Sequence, residues 1–165
     1  MRDMRRFRQL LSEEETLAAL KRGTSGVLAL YGDEGYPYAV PLSYAYSDGK
    51  IFFHSAKSGH KLDAIARNEK ASFCVIDLDD VQPQDYSTNF RSVIAFGRVR
   101  ILTERADIMS ALRILGERYA GEGNARCVKE VEGENGLERI RVIEFQIEHM
   151  TGKEAIELVR EKNKA

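Results

Sequence analysis

The sequence is poor in the residues that punctuate, staple or anchor a chain. Among 165 residues there are three prolines and two cysteines, and Cys74 and Cys127 stand 53 positions apart with no CxxC between them. That spacing excludes a disulfide framework or a zinc ribbon and fits a reducing compartment such as the cytoplasm. The longest apolar run covers residues 27–31, and others such as 51–53 are shorter, all far short of the roughly 18 residues that a membrane span requires. Neither sign of charge dominates: 25 Lys and Arg against 26 Asp and Glu leave a net charge of -1, which does not suit a polyanionic partner such as DNA. Arg2, Arg5, Arg6 and Arg8 open the chain with no apolar segment after them. No secretory signal is expected there, and the arginines read as a solvated terminus rather than a nucleic-acid arm.

What remains is ordinary for a folded soluble domain: 43% hydrophobic and 31% charged residues. At about 150 residues per domain the length predicts one domain over residues 1–165. A chain of this size can bury about 70% of its unfolded surface, enough for a core without staples.

Ser12 with Glu15 three positions on is a capping box, and Leu17, Ala18 and Leu20 predict a short helix ending before Gly23. Strands are predicted at 25–31, 36–46 and 50–55, joined by the turn clusters Gly32-Asp33-Glu34-Gly35 and Ser47-Asp48-Gly49. A helix follows at 60–67, then strands at 71–77 and 91–103 separated by a polar loop over 78–89. A helix at 104–119 and a last strand at 138–150 close the pattern, with residues 121–136 charged and poorly patterned between them. Six strands in hairpin order with so few helices exclude a doubly wound parallel sheet. The prediction is a mainly β, α+β fold built on a small six-stranded antiparallel barrel.

Two stretches carry candidate chemistry. Along 37–46 one strand face holds Tyr38, Val40, Leu42, Tyr44 and Tyr46, and the other holds Ala39, Pro41, Ser43 and Ala45. Small side chains admit a flat ligand or a close-packed backbone, or simply fill a crowded barrel interior. Pro41 cannot donate to a ladder and so belongs at an edge or a bulge. The second stretch, His54-Ser55-Ala56-Lys57-Ser58-Gly59-His60-Lys61, spans a strand end and a helix start. Free N–H groups, two hydroxyls and two lysines there form an anion cradle or a solvated turn, and neither GxxxxGK[ST] nor GxGxxG is present. His54 and His60 have no third ligand nearby for a metal, and the acidic run Asp77, Asp79, Asp80 lacks the glycine and distal Glu of a calcium loop. His149 reads as a packed core residue, and so does Cys74. No GxSxG and no Cys–His pair points to covalent catalysis.

Four ordered motifs resemble a known family. They are Tyr36-Pro37-Tyr38-Ala39-Val40-Pro41-Leu42; Phe53-His54-Ser55-Ala56-Lys57-Ser58-Gly59-His60-Lys61-Leu62; Asp85-Tyr86-Ser87 with Phe90-Arg91-Ser92-Val93-Ile94-Ala95-Phe96-Gly97; and Met150-Thr151-Gly152-Lys153. Together they are similar to the FMN-binding split barrels related to pyridoxamine 5'-phosphate oxidase, within them the nitroimidazole-resistance (Nim-type) flavoproteins. The resemblance implies a homodimer with two FMN sites at the subunit interface, FAD being the alternative cofactor. By carry-over, Val40, Pro41, Leu42 and Ser43 line the isoalloxazine, and His54 and Ser55 hold its edge and the ribityl chain. Ser58, Gly59, His60 and Lys61 match the phosphate segment, and Arg91 and Ser92 match the strand that reaches the flavin from the far side.

His54 falls where Nim-type proteins carry a histidine near the flavin, which makes it the candidate proton donor. The activity so implied is an FMN-dependent oxidoreductase passing hydride through N5 between small molecules, NAD(P)H and a nitroaromatic acceptor among them. A protein that only binds flavin, heme or F420, and an oxidase of pyridoxamine 5'-phosphate, are the alternatives. Two features depart from the family pattern, Ala95 in place of a glycine before Phe-Gly and Gly26 in place of a Cys or bulkier residue, and the mixed-charge tail at 154–165 differs from the basic tail of authentic pyridoxamine 5'-phosphate oxidases.

Overall fold

The computed structural model describes residues 1–120 and 139–164. Cys127, the segment 121–136 and the predicted strand start at Glu138 therefore lie outside the described residues. The strands are β1 (Ser25–Tyr31), β2 (Pro37–Ser43), β3 (Ala45–Ser47), β4 (Lys50–Ala56), β5 (Lys70–Gln82), β6 (Ser87–Ile101) and β7 (Ile140–Glu154). Among the described residues four α-helices accompany them: α1 (Glu13–Arg22), α2 (His60–Arg67), α3 (Arg105–Ala120) and α4 (Ile156–Lys162). None is long and apolar enough to cross a membrane.

All seven strands form one antiparallel sheet in the order β2-β1-β5-β6-β7-β4-β3. Its inner faces share a single core, to which Leu28, Phe53, Phe73, Val93 and Phe145 contribute and against which Tyr38, Val40 and Leu42 of β2 pack. The sheet therefore rolls round until its two edges approach, but no ladder joins β2 to β3 or β4. The result is a split barrel.

The count is seven strands rather than six because the predicted strand 36–46 breaks at Tyr44. Tyr44 is 1% exposed, and its backbone N–H donates to the Tyr119 hydroxyl, while its own hydroxyl donates to the Leu20 carbonyl. The three strands read as one meander are two hairpins on opposite edges, β1–β2 and β3–β4. The β3–β4 turn places Asp48 (φ 48) and Gly49 (φ 77) in the left-handed region that a two-residue hairpin needs.

The predicted loop at 78–89 is instead a ladder from Leu78↔Arg91 to Gln82↔Ser87. It extends beyond the reach of β1 and none of its residues is fully buried, and Leu78 and Val81 are the apolar residues of its first strand. Cys74 is not a core residue: it is half-buried on the outer face between the core side chains Phe73 and Val75, and burial raises its thiol pKa. His149 is likewise moved out of the core by a bulge between Phe96 and Gly97, and lies half-buried beside the Phe96 ring. At Gly97 any Cβ would run into the Gln146 carbonyl, and at Gly26 it would meet the Phe73 ring, which explains the small residue there.

The helices follow their sequence signals. Ser12 and Glu15 form the predicted capping box, and Asn68 ends α2 and accepts from the Lys70 N–H. Helix α3 covers the outer face of β4 and β7 through Met109, Leu112 and Leu115 packed on Ala45, Phe52 and Val142. Burying such side chains stabilises by about 1.5–3 kcal/mol each.

Candidate functional site

Strand β2 alternates exposed Pro37, Ala39, Pro41 and Ser43 with half-buried Tyr38, Val40 and Leu42. The small side chains thus form an outer face, and the large ones fill the barrel. β2 is an edge strand, as Pro41 requires. The β4–α2 junction comes up against the same strand: the His60 ring stacks on Tyr38 at 4.0 Å and 22°. The two stretches singled out from the sequence are therefore neighbours.

Alternation along β4 sends His54 and Ser55 to opposite faces. His54 is exposed on the outer side, past the Phe52 that α3 covers. Ser55 lies on the core side, 5% exposed, and its Oγ has no hydrogen-bond partner. Arg141 of β7 is its cross-strand neighbour. A buried hydroxyl left without a partner costs about 1–3 kcal/mol unless a ligand or water supplies one.

At the start of α2, Gly59 takes φ 137, a conformation open to glycine, with nothing near the position its Cβ would occupy. The helix closes with Leu62 and Asp63 N–H groups donating to the Gly59 carbonyl. The N–H groups of His60 and Lys61 are thus first-turn donors without a helical acceptor. Lys57 and Lys61 form no ion pair among the described residues, and Ser58 is exposed beside them. Unspent donors and unspent positive charge at one helix start are the features an anion site requires.

Arg91 and Ser92 are placed differently. The Arg91 guanidinium is held by two almost buried carboxylates, Glu154 at 3.0 Å and Asp77 at 3.3 Å. Ser92 points to the other face of β6, two positions from Ile94. Along one rung of the outer face stand Pro41, Val27, Cys74, Ile94 and Thr151. Pro41 and Ile94 are three strand steps apart, about 14 Å around the sheet, so Arg91 and Ser92 do not converge with the β2 and α2 residues within one copy.

Sequence reasoning missed three residues here. Asp33 was read as part of a turn, yet its carboxylate meets His60 and Arg67. Arg67 was read only as the end of a helix, and Arg141 only as part of an alternating strand. The opposite faces of His54 and Ser55 were legible from the alternation itself. Among the described residues no group of three His, Cys, Asp or Glu could hold a metal.

An open antiparallel sheet rolled around one core, with a helix start set against a small-faced edge strand, defines a split-barrel fold. The chain belongs to the pyridoxamine 5'-phosphate oxidase family of FMN-binding split barrels, whose profile matches residues 12–154. Among solved structures it is similar to a candidate 5-nitroimidazole antibiotic resistance protein from Bacteroides thetaiotaomicron, at 19% identity over 87% of this chain and 85% of that one, TM-score 0.70. A FAD-binding protein from Mesorhizobium loti shares 24% identity over 89% and 97% of the two chains, with TM-score 0.62. The FAD and heme binding protein from Mycobacterium smegmatis shares 22% over 90% and 73%, with TM-score 0.74. At these identities the likeness is one of fold. No curated protein sequence matches the chain.

Proposed function

We propose that this protein is an FMN-dependent oxidoreductase that works as a homodimer. The observation that carries the reading is the α2 start, where Lys57 and Lys61 have no ion pair among the described residues and the His60 and Lys61 N–H groups lack helical acceptors, against the edge strand β2. One terminal phosphate fits that cradle, with Lys61 as its counter-charge and the Ser58 hydroxyl as a further donor. The small outer face of Ala39, Pro41 and Ser43 admits a flat ring, and the main-chain groups that the edge leaves free, the Pro41 carbonyl and those of Ser43, address its polar rim.

Bound flavin supplies hydride acceptance and donation at N5. His54, exposed on the outer face of β4, is the residue offered for proton transfer to a small-molecule acceptor, with nitroaromatics as the substrate class and NAD(P)H as the reductant. A second copy is favoured by the open outer face, where Ile76 is 67% and Ile94 41% exposed alongside Val27 and Phe96. Packed there, it would bring Ser92 of one copy toward the β2 edge of the other. Because solved relatives in fold include FAD-binding proteins, the test identifies the cofactor rather than assuming it. The purified protein is expected to be yellow, to take up one FMN per chain and to release FMN on denaturation. A colourless protein that quenches no added flavin overturns the reading. Anaerobic reduction by NADPH and reoxidation by a nitroimidazole then separates an enzyme from a carrier.

A further inference from the structure

Helix α2 is tied to the β1–β2 turn at both of its ends through one carboxylate. His60, its first residue, brings Nε2 to 3.3 Å from Asp33 Oδ2 while its ring stacks on Tyr38. Arg67, its last residue, brings Nη2 to 2.5 Å from Asp33 Oδ1. Positions seven apart lie on the same side of a helix, about 10 Å from one another along its axis. Asp33 thus spans two turns of α2 from the turn that leads into β2. That turn is shaped to present it: Glu34 at φ 55 and Gly35 at φ 82 fold the chain back, and the Gly32 N–H closes it on the Tyr36 carbonyl.

We propose that Asp33 is a positioning residue for the anion cradle, fixing α2 against β2 through His60 and Arg67. This rests on the reading of the α2 start as the phosphate site of a flavin. It also changes the part His60 plays. With its ring packed on Tyr38 and its Nε2 turned to Asp33, the imidazole acts as a clasp, and only its backbone N–H faces the anion. Asp33 touches no cofactor atom; it sets the distance between the strand that takes the ring and the helix start that takes the phosphate. A ligand that uses both ends needs that distance held, and a ligand that uses only the ring end does not.

FMN and riboflavin differ only by the phosphate, so the test is a pair of fluorescence-quenching titrations on the full chain, wild type against Asp33→Asn. Asp33→Asn is expected to loosen FMN about fivefold, the scale of losing exposed ion pairs, while riboflavin shifts less than twofold. Asp33→Glu, which keeps the charge, should recover most of the FMN affinity. Without any flavin, the amides of α2 in Asp33→Asn should exchange with deuterium faster than in wild type. Equal loss of both flavins, no change in either, or unchanged exchange across α2 overturns the assignment of Asp33. If the wild type binds neither flavin yet Asp33→Asn still speeds exchange, the cofactor reading fails while the tie between turn and helix stands, and the positioning role falls with that reading.

Discussion

Strands β4 and β7 turn their outer face to α3, whereas β1, β5 and β6 turn theirs outward with no element of the described chain upon it. The side chains are alike in kind: Phe52 and Val142, with Ala45 of the adjoining β3, on the first, and Val27, Ile94 and Phe96 on the second. Their exposure is not. Phe52 is 7% and Val142 1% exposed, while Phe96 is 37% and Ile94 41%. Strands with apolar residues on both faces call for two coverings. One half of this barrel receives its second covering from its own helix, and the other half is left with a surface suited to another molecule.

Leu115→Ala, beneath α3, gives the largest expected effect, a loss of about 2–4 kcal/mol from a site 5% exposed. Urea unfolding measures it, and a loss below about 1 kcal/mol would mean that the helix covers this half without stabilising it. Ile94→Asp on the open half should leave the unfolding free energy of the isolated chain within about 0.5 kcal/mol of wild type, since the site is exposed. The same change should weaken self-association about tenfold or more by burying an unpaired charge. Sedimentation velocity reads this, and self-association unaffected by the change would mean that the open half is not the surface on which a second copy packs.

The smallest effect lies at the margin of α3. There Glu144 accepts from Lys50 and Arg100, and Arg100 also approaches Asp107 of α3. Burial by itself would raise the Glu144 carboxyl, but hydrogen bonds from Arg100 and Lys50 outweigh it and hold the pKa below the usual range. A depressed folded-state pKa contributes stability above the unfolded value, lost as pH falls through the folded one. Glu144→Gln should therefore cost about 1 kcal/mol at neutral pH, with the difference from wild type closing under acid. A gap that widens on acidification would reverse the sign of this argument.

Much of this was legible in local residue order. The Ser12–Glu15 box, the Asp48-Gly49 turn, the helix at 60–67 and the edge position forced by Pro41 all follow from interactions within a few residues. The break at Tyr44 did not, because the group that caps its backbone is Tyr119, 75 positions away. The hairpin extension at 78–89 was read as a loop because strand patterning reports burial, and nothing buries that arm. The cradle and the small-faced strand stood out by composition, but their adjacency depends on the His60–Tyr38 stack. Arg91 looked available because its partner Glu154 is 63 residues on.

The two prolines of β2 have one more consequence. In the β1–β2 ladder the Gly32 N–H bonds to the Tyr36 carbonyl, so even-numbered positions of this strand face β1 and the odd ones face outward. Pro37 and Pro41 occupy two of those outward positions, which leaves Ala39 and Ser43 as the strand's free donors. An edge stripped of alternate N–H groups cannot template an incoming strand, so the barrel stays split without becoming a seed for cross-β aggregation.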